Sequence, residues 1–350
     1  MVLSKRTYLL GCLLGLISFY GGAQTSTKKV VAEKGDGIYS LLRKQGMSPA
    51  RHYGHFIALN KENLWEGTQL YEGEEYLLPV LNPDLGDKPA SSPKSTPGIA
   101  KEATVIHEPL FGEKHAAVTR KSNKLKGAVY YLISGHGGPD PGAVATYNGK
   151  MIAEDEYAYD ITLRLAKELM SHGAETYIIV RDPNDGIRDN RFLKADRDEV
   201  VLPKAIIPLN QLERLQQRVA VVNKHYLKNK GKYQRLIVTH VDSRGKGQNI
   251  DVFFYHHEKS RNGKHLAEHI HETFYNKYKR YQPNRVYEGS FSDRSGLYLV
   301  KNTLPAMAYI EIGNIRNKRD QKRILEPNNR QALAKWISEG IILDRSKRGY

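Results

Sequence analysis

The apolar run Ala128-Val129-Tyr130-Tyr131-Leu132-Ile133 stops at Ser134-Gly135-His136-Gly137-Gly138-Pro139-Asp140-Pro141-Gly142-Ala143. A near-continuous apolar run of this length marks a strand buried on both faces, the situation of a parallel sheet. Such a sheet needs helices on both sides, and its ligands sit past the carboxyl ends of the strands. The loop behind Ile133 is therefore expected at a binding edge. Glycines on either side of His136 let a substrate or metal approach the backbone closely.

The same arrangement recurs twice. Leu236-Ile237-Val238-Thr239 ends at His240, and Ala306-Met307-Ala308-Tyr309-Ile310 ends at Glu311. Thr176 to Val180 and Ile250 to Tyr255 read as further strands. Between them lie stretches of helical period. Glu154 to Ser171 places Ala158, Ile161, Leu165 and Leu169 on one face and stops before Gly173. Leu212 to His225, Gly263 to Tyr278 and Arg330 to Ile342 complete the helices. Alternating strands and helices predict an α/β domain over residues 105–345, with a mostly parallel sheet covered on both faces. Phe111 to Lys126 reads as an added edge strand, and 183–210 as charged and irregular. Asp182-Pro183-Asn184-Asp185-Gly186 has calcium-loop residues at the wrong spacing, so it reads as a turn.

Strand ends in an open α/β sheet lie along one edge, so His136, His240 and Glu311 can converge on one crevice. Glu154, at the start of its helix, emerges from the loop beside His136. Two histidines, a carboxylate and an open position form a catalytic zinc site, and a further carboxylate can take a proton from water. Each residue has a plainer role open to it. His240 can be a core histidine, Glu154 or Glu156 can complement the helix dipole, and Glu311 can pair with Arg294 or Arg316. All four at the ends of elements argue for the metal.

At 350 residues the chain has room for more than one domain. Lys5 and Arg6, the apolar run Tyr8 to Tyr20 and then Gly21-Gly22-Ala23 read as a signal peptide over residues 1–23. The expectation is an exported protein of the periplasm or cell envelope, with no membrane span after cleavage. Lipid anchoring through Cys12, in Leu10-Gly11-Cys12, is the less favoured alternative. Cys12 is the sole cysteine, so the cleaved chain must hold any zinc with histidines and carboxylates. The net charge of +16 calls for an anionic partner. There is no nucleic-acid-binding motif, which leaves wall polymers or a membrane surface.

Residues 29–80 read as strand, helix, helix, strand. That order, with Gly35-Asp36, Asn60 and Leu78-Pro79, resembles a LysM carbohydrate-binding module. A linker over 81–104, with Pro83, Pro89, Pro93 and Pro97, follows. The main domain resembles the zinc-dependent N-acetylmuramoyl-L-alanine amidases of the third amidase type. The resemblance rests on His136 in Gly135-His136-Gly137-Gly138-Pro139-Asp140-Pro141-Gly142-Ala143, on Glu154, on Thr239-His240 and on Glu311-Ile312-Gly313. It implies a phosphorylase/hydrolase-like fold and Zn2+ held by His136, Glu154 and His240, with Glu311 activating water. It further implies substrate contacts from Arg294 and Asn317, and a peptidoglycan substrate of glycan strands and stem peptides. The choice of Glu154 over Glu156 rests on its spacing to Gly173. Departures from the family are Ile133-Ser134 before the first Gly-His, Val241-Asp242-Ser243 after the second histidine, and Asn314-Ile315-Arg316 after Gly313. The chain is expected to act as a monomer. The rivals are a non-catalytic LysM-type wall-binding protein and a zinc peptidase acting on the stem peptide. Activator-dependent members carry a blocking helix after the second histidine. Here a short loop and a strand separate His240 from Gly263, so an open site is expected.

Overall fold

The computed structural model describes residues 28–33, 36–47, 49–64, 70–79, 105–243 and 249–347. The expected signal peptide over 1–23, Cys12 and the linker over 81–104 lie outside these residues. The chain divides into two compact units, Met1–Gly98 and Ile99–Tyr350.

The first unit contains β1 (Lys29–Val31), α1 (Ile38–Lys44), α2 (Pro49–Leu59) and β2 (Glu75–Leu77), in the expected order. β1 and β2 pair antiparallel, with Val30 opposite Tyr76. Leu41, Leu42, Phe56 and Tyr76 form the buried centre. Asn60 ends α2 for a visible reason. Its buried Nδ2 donates to the Phe56 and Leu77 carbonyls, and its Oδ1 accepts the Leu77 N–H at 2.7 Å. One side chain thus finishes the helix and ties it to β2.

The second unit begins with β3 (Val105–His107), β4 (Ala117–Thr119) and β5 (Ala128–Ser134). A hairpin of β6 (Val144–Tyr147) and β7 (Lys150–Ala153) leads into α3 (Glu154–Ser171). Next come β8 (Glu175–Ile178), β9 (Val180–Arg181), β10 (Val200–Val201), β11 (Ala205–Ile206) and α4 (Gln211–Lys228). Then follow β12 (Tyr233–Asp242), β13 (Phe253–His256), α5 (Arg261–Tyr281), β14 (Ser290–Asp293) and α6 (Tyr298–Asn302). β15 (Met307–Asn314), α7 (Lys318–Leu325) and α8 (Pro327–Ser346) close the chain. Among the described residues the main sheet has the order β14-β13-β15-β12-β5-β8. Its pairings are parallel except β13 against β15, so the sheet is mostly parallel, as expected, with one antiparallel pairing that makes it mixed.

Side-chain alternation divides the core in two. Tyr130, Leu132, Ile237, Ala308 and Ile310 face α3, α5 and α8. Val129, Tyr131, Ile133, Leu236, Val238 and Tyr309 face the other way, towards α4 and α6. Successive strand residues point to opposite faces, so a strand buried on both must be apolar throughout. β5 is buried at every position. On the first face, Arg330 of α8 is fully buried, and its Nε donates to Asp160 of α3 at 2.6 Å. Its Nη atoms reach the carbonyls of Ile324, Leu325, Arg188 and Asn190, so the burial is compensated.

Four local expectations change. The strand expected from Ile250 starts at Phe253, because Asp251 adopts φ 52° and turns its fully buried carboxylate to Arg285 and Arg323. β4 pairs with β3 rather than with the main sheet, and its one buried residue, Val118, packs on the α3 side of the core. Within 183–210, β10 and β11 form an antiparallel hairpin on β9. β14 and α7 are additions, and both are rich in polar residues.

Candidate metal centre

The two sides of the sheet decide which strand ends reach the site. His240 shares its parity with Leu236 and Val238, and Glu311 with Met307 and Tyr309, so both leave the sheet on the α4 side. They are register partners across β12 and β15. The His240 ring stacks on Tyr309 with centroids 4.7 Å apart and planes at 12°. His136 follows the neighbouring β5, and its ring meets that of His240 edge-on at 5.0 Å.

Glu154 is 5 % exposed and stands between the histidines. Its Oε1 lies 2.9 Å from His240 Nδ1, and its Oε2 lies 3.3 Å from His136 Nε2. Backbone N–H groups of Val241 and Ala143 donate to the same two oxygens, each at 2.9 Å. One donor atom from each of His136, Glu154 and His240 falls within 4.8 Å of the others. Glu156 points elsewhere, pairing with Arg188 at 2.8 Å and accepting the Asp196 N–H. Of the two glutamates, Glu154 faces the histidines and Glu156 faces Arg188.

The surroundings fit a metal. His136 Nδ1 lies 2.9 Å from Asp140 Oδ2, which also accepts from Arg214 at 2.8 Å. A carboxylate behind a histidine fixes its tautomer and leaves the other ring nitrogen for a metal. His136 has φ 61°, a left-handed conformation that is costly for a side chain of this size. The Arg218 Nη2–H···O bond to its carbonyl, at 2.6 Å, helps to hold it. A Cβ on Gly135 would stand 2.3 Å from the His240 ring, and one on Gly142 would stand 2.7 Å from Glu154 Oε2 and from His136. Only glycine lets the loop close around these three side chains.

Electrostatics follow the same contacts. Burial would lower the His136 pKa, but the Asp140 bond and the Glu154 charge outweigh it and raise it. For His240 burial wins over the Glu154 bond and the pKa falls. Burial acts to raise the Glu154 pKa, yet its contacts with His240 and His136 hold it below the usual carboxylate range. The Asp140 carboxyl is held well below its ordinary value, first by His136. Burial lowers the Arg218 pKa to about 10.

A cavity of about 650 Å³ opens on this centre, lined among others by His136, Glu154, Arg214, His240, Tyr298 and Glu311. Glu311 is 8 % exposed. Arg294 and Asn317 are not among the lining residues. Arg294 is exposed, its guanidinium 5.2 Å from the Tyr255 ring centre, and Asn317 caps α7 by accepting the Arg319 and Asp320 N–H groups. Sequence reasoning did not single out Asp140 or Arg214. The signal available for Arg214 was its spacing to Arg218, one turn along α4 beside Leu215.

Residues 131–343 match the family described as N-acetylmuramoyl-L-alanine amidase. The chain belongs to that family. The matched span begins within β5 and ends within α8, so it takes in the three proposed ligands and Glu311. The germination-specific N-acetylmuramoyl-L-alanine amidase of Bacillus subtilis (strain 168) is 23 % identical over 229 residues, 64 % of this amidase and 83 % of that protein. Among the solved structures similar to this chain are two amidases. An N-acetylmuramoyl-L-alanine amidase from Clostridium difficile 630 has a TM-score of 0.47 at 16 % identity, covering 65 % of this chain and all of that one (100 %). The CwlD amidase from Clostridioides difficile, in complex with the GerS lipoprotein, has a TM-score of 0.45 at 20 % identity, covering 63 % and 98 %. The chain is thus a cell-wall amidase, a hydrolase of peptidoglycan.

Proposed function

We propose that this amidase cleaves the amide between N-acetylmuramic acid and L-alanine with zinc held by His136, Glu154 and His240, and with Glu311 as the proton carrier. The observation that carries this reading is the approach of one donor atom from each of the three residues to within 4.8 Å of the others. When bound, zinc supplies Lewis acidity and lowers the pKa of water towards about 7. Glu311 takes the proton of the attacking water and passes it to the amide nitrogen as the C–N bond breaks, so the peptide leaves as a neutral amine. Asp140 keeps the His136 Nε2 facing the cavity, with Arg214 holding Asp140 in turn. Arg294 is offered as a contact for a stem-peptide carboxylate.

The first unit is read as a LysM-like module that holds the glycan, on the strength of its strand-helix-helix-strand order. Export through residues 1–23 places the enzyme at its substrate, and the net charge of +16 suits an anionic wall. Among the described residues no helix is long and apolar enough to cross a membrane.

Mass spectrometry of peptidoglycan digested by the purified chain tests the activity. Intact stem peptides beginning at L-alanine are expected, lost on chelation and restored by zinc. Peptides cut internally would instead indicate a stem-peptide endopeptidase or carboxypeptidase. Co-sedimentation with sacculi should weaken in a chain lacking residues 29–80.

A further inference from the structure

Behind the His136 loop the amidase unit gathers a second set of carboxylates. Asp155 and Glu156 come from the first turn of α3, Asp182 from the end of β9, and Asp196 and Glu199 from the segment entering β10. Asp155, Glu156 and Glu199 can each offer one oxygen within 4.8 Å of the other two, and so can Asp182, Asp196 and Glu199. Glu199 belongs to both trios. Asp155 and Asp182 are each 2 % exposed, Glu156 1 % and Glu199 5 %.

Three buried oxygens of this cluster have no hydrogen-bond partner among the described residues: Asp155 Oδ2, Asp182 Oδ2 and Asp196 Oδ1. Buried acceptors are almost always paired, so these three, carried by members of the two linked trios, call for something to face them. The other oxygens of Asp155 and Asp182 have definite partners. Asp155 Oδ1 accepts the Glu156 N–H, and Asp182 Oδ1 accepts those of Asn184 and Asp185 at 2.9 and 2.7 Å. Glu199 Oε2 accepts the Gly138 N–H at 2.6 Å. Arg188 pairs with Glu156 and is shared with Asp185. Asp155, Asp182, Asp196 and Glu199 have no ion pair among the described residues.

We propose that these side chains form a seat for a hard divalent cation, calcium by its chemistry, distinct from the His136–Glu154–His240 centre. Every donor is an oxygen, whereas zinc favours nitrogen and sulfur. Calcium accepts six to eight oxygens at about 2.3–2.6 Å, so donors across one ion stand up to about 5 Å apart. The spread within each trio is of that size. Magnesium is smaller, demands an octahedron and keeps its water, which suits a protein-rich carboxylate cage poorly. The loop Asp182-Pro183-Asn184-Asp185-Gly186 lacks the spacing of a self-contained calcium loop, and here it lends one carboxylate to a seat built from three segments. The ion would brace the two segments that present the catalytic centre. Glu199 grips the loop of His136 through Gly138, and Asp155 adjoins Glu154.

The inference does not rest on the hydrolytic reading, and its test needs no turnover. The full chain, zinc-loaded and stripped of calcium, is equilibrated with calcium chloride at about 1 mM and neutral pH, then gel-filtered for metal analysis. Calcium is expected to stay bound in stoichiometric amount beside zinc, and to raise the unfolding temperature. Asp182→Asn and Asp155→Asn keep shape and the paired oxygen, and each should lower calcium affinity at least about tenfold with zinc content unchanged. Failure of the unmodified chain to retain calcium or gain thermal stability would overturn the proposal and leave the carboxyls protonated instead. A second zinc taken up in place of calcium, or unaltered calcium binding in both variants, would overturn it equally.

Discussion

His240 and Glu311 are register partners across the parallel pair β12–β15, so their side chains leave neighbouring strands on the same face at the sheet's carboxyl edge. Neighbouring strands lie about 4.8 Å apart, which puts the proposed ligand and the proposed proton carrier side by side without any loop to position them. Glu311→Gln should therefore leave zinc content unchanged and lower kcat by about 10²–10⁴, the range of a lost general base. Loss of zinc in that variant would reassign Glu311 to the metal.

The two neighbouring glutamates of α3 should separate cleanly. Glu154 meets both histidines, whereas Glu156 is bound to Arg188. Glu154→Gln is expected to lose zinc and activity together. Glu156→Gln should retain zinc, at some cost in unfolding temperature from the Arg188 left without its partner. Metal analysis of the two proteins decides between them.

Gly135→Ala tests the close approach. The added methyl would stand 2.3 Å from the His240 ring, and that ring is confined by Tyr309. Overpacking of this kind costs about 1–3 kcal/mol. Calorimetry should show a lower unfolding temperature, and zinc affinity should fall as His240 is displaced.

Asp140→Asn removes the acceptor behind His136 Nδ1, also used by Arg214. Loss of such a partner typically costs about 10–100-fold in metal affinity, and competition with a chromophoric chelator measures it. Zinc affinity equal to that of the unmodified chain would show that the tautomer of His136 is fixed by other means.

The acidic cluster sets a pH dependence. Burial first, then neighbouring carboxylates, pushes Glu199 up to about 7 and Asp182 up to about 6. Glu199 faces Glu156 and Asp182, and Asp182 faces Asp185 and Asp198. A folded-state carboxyl pKa above the unfolded value makes the native state bind more protons, so stability falls as pH rises from about 4 to about 7. Without calcium the unfolding temperature should decline across that window. With calcium the decline should flatten.

The parts legible in the sequence were those that repeat a period. β5, β12 and β15 are buried on both faces and had to be apolar throughout, so their ends at His136, His240 and Glu311 stood out. α3 was readable from its apolar face and Gly173, which has φ 96° at the turn that stops it. β14 and α7 gave no such sign, since their polar residues satisfy edge and capping roles set by the tertiary fold. Asp140 meets Arg214 across 74 residues of chain, and Glu199 meets Gly138 across 61. Such contacts exist only once the sheet has formed, and no local pattern announces them.

The most direct test of the central claim combines zinc content with a digest of isolated sacculi by the full chain, without any added partner. Among the described residues only β13 lies between the end of β12 and the start of α5, so no activator is expected to be needed. The predicted result is release of intact stem peptides with new L-alanine amino termini, in proportion to bound zinc. Release that persists in a zinc-free chain, or glycan that keeps its stem peptides in the presence of zinc, would contradict the account.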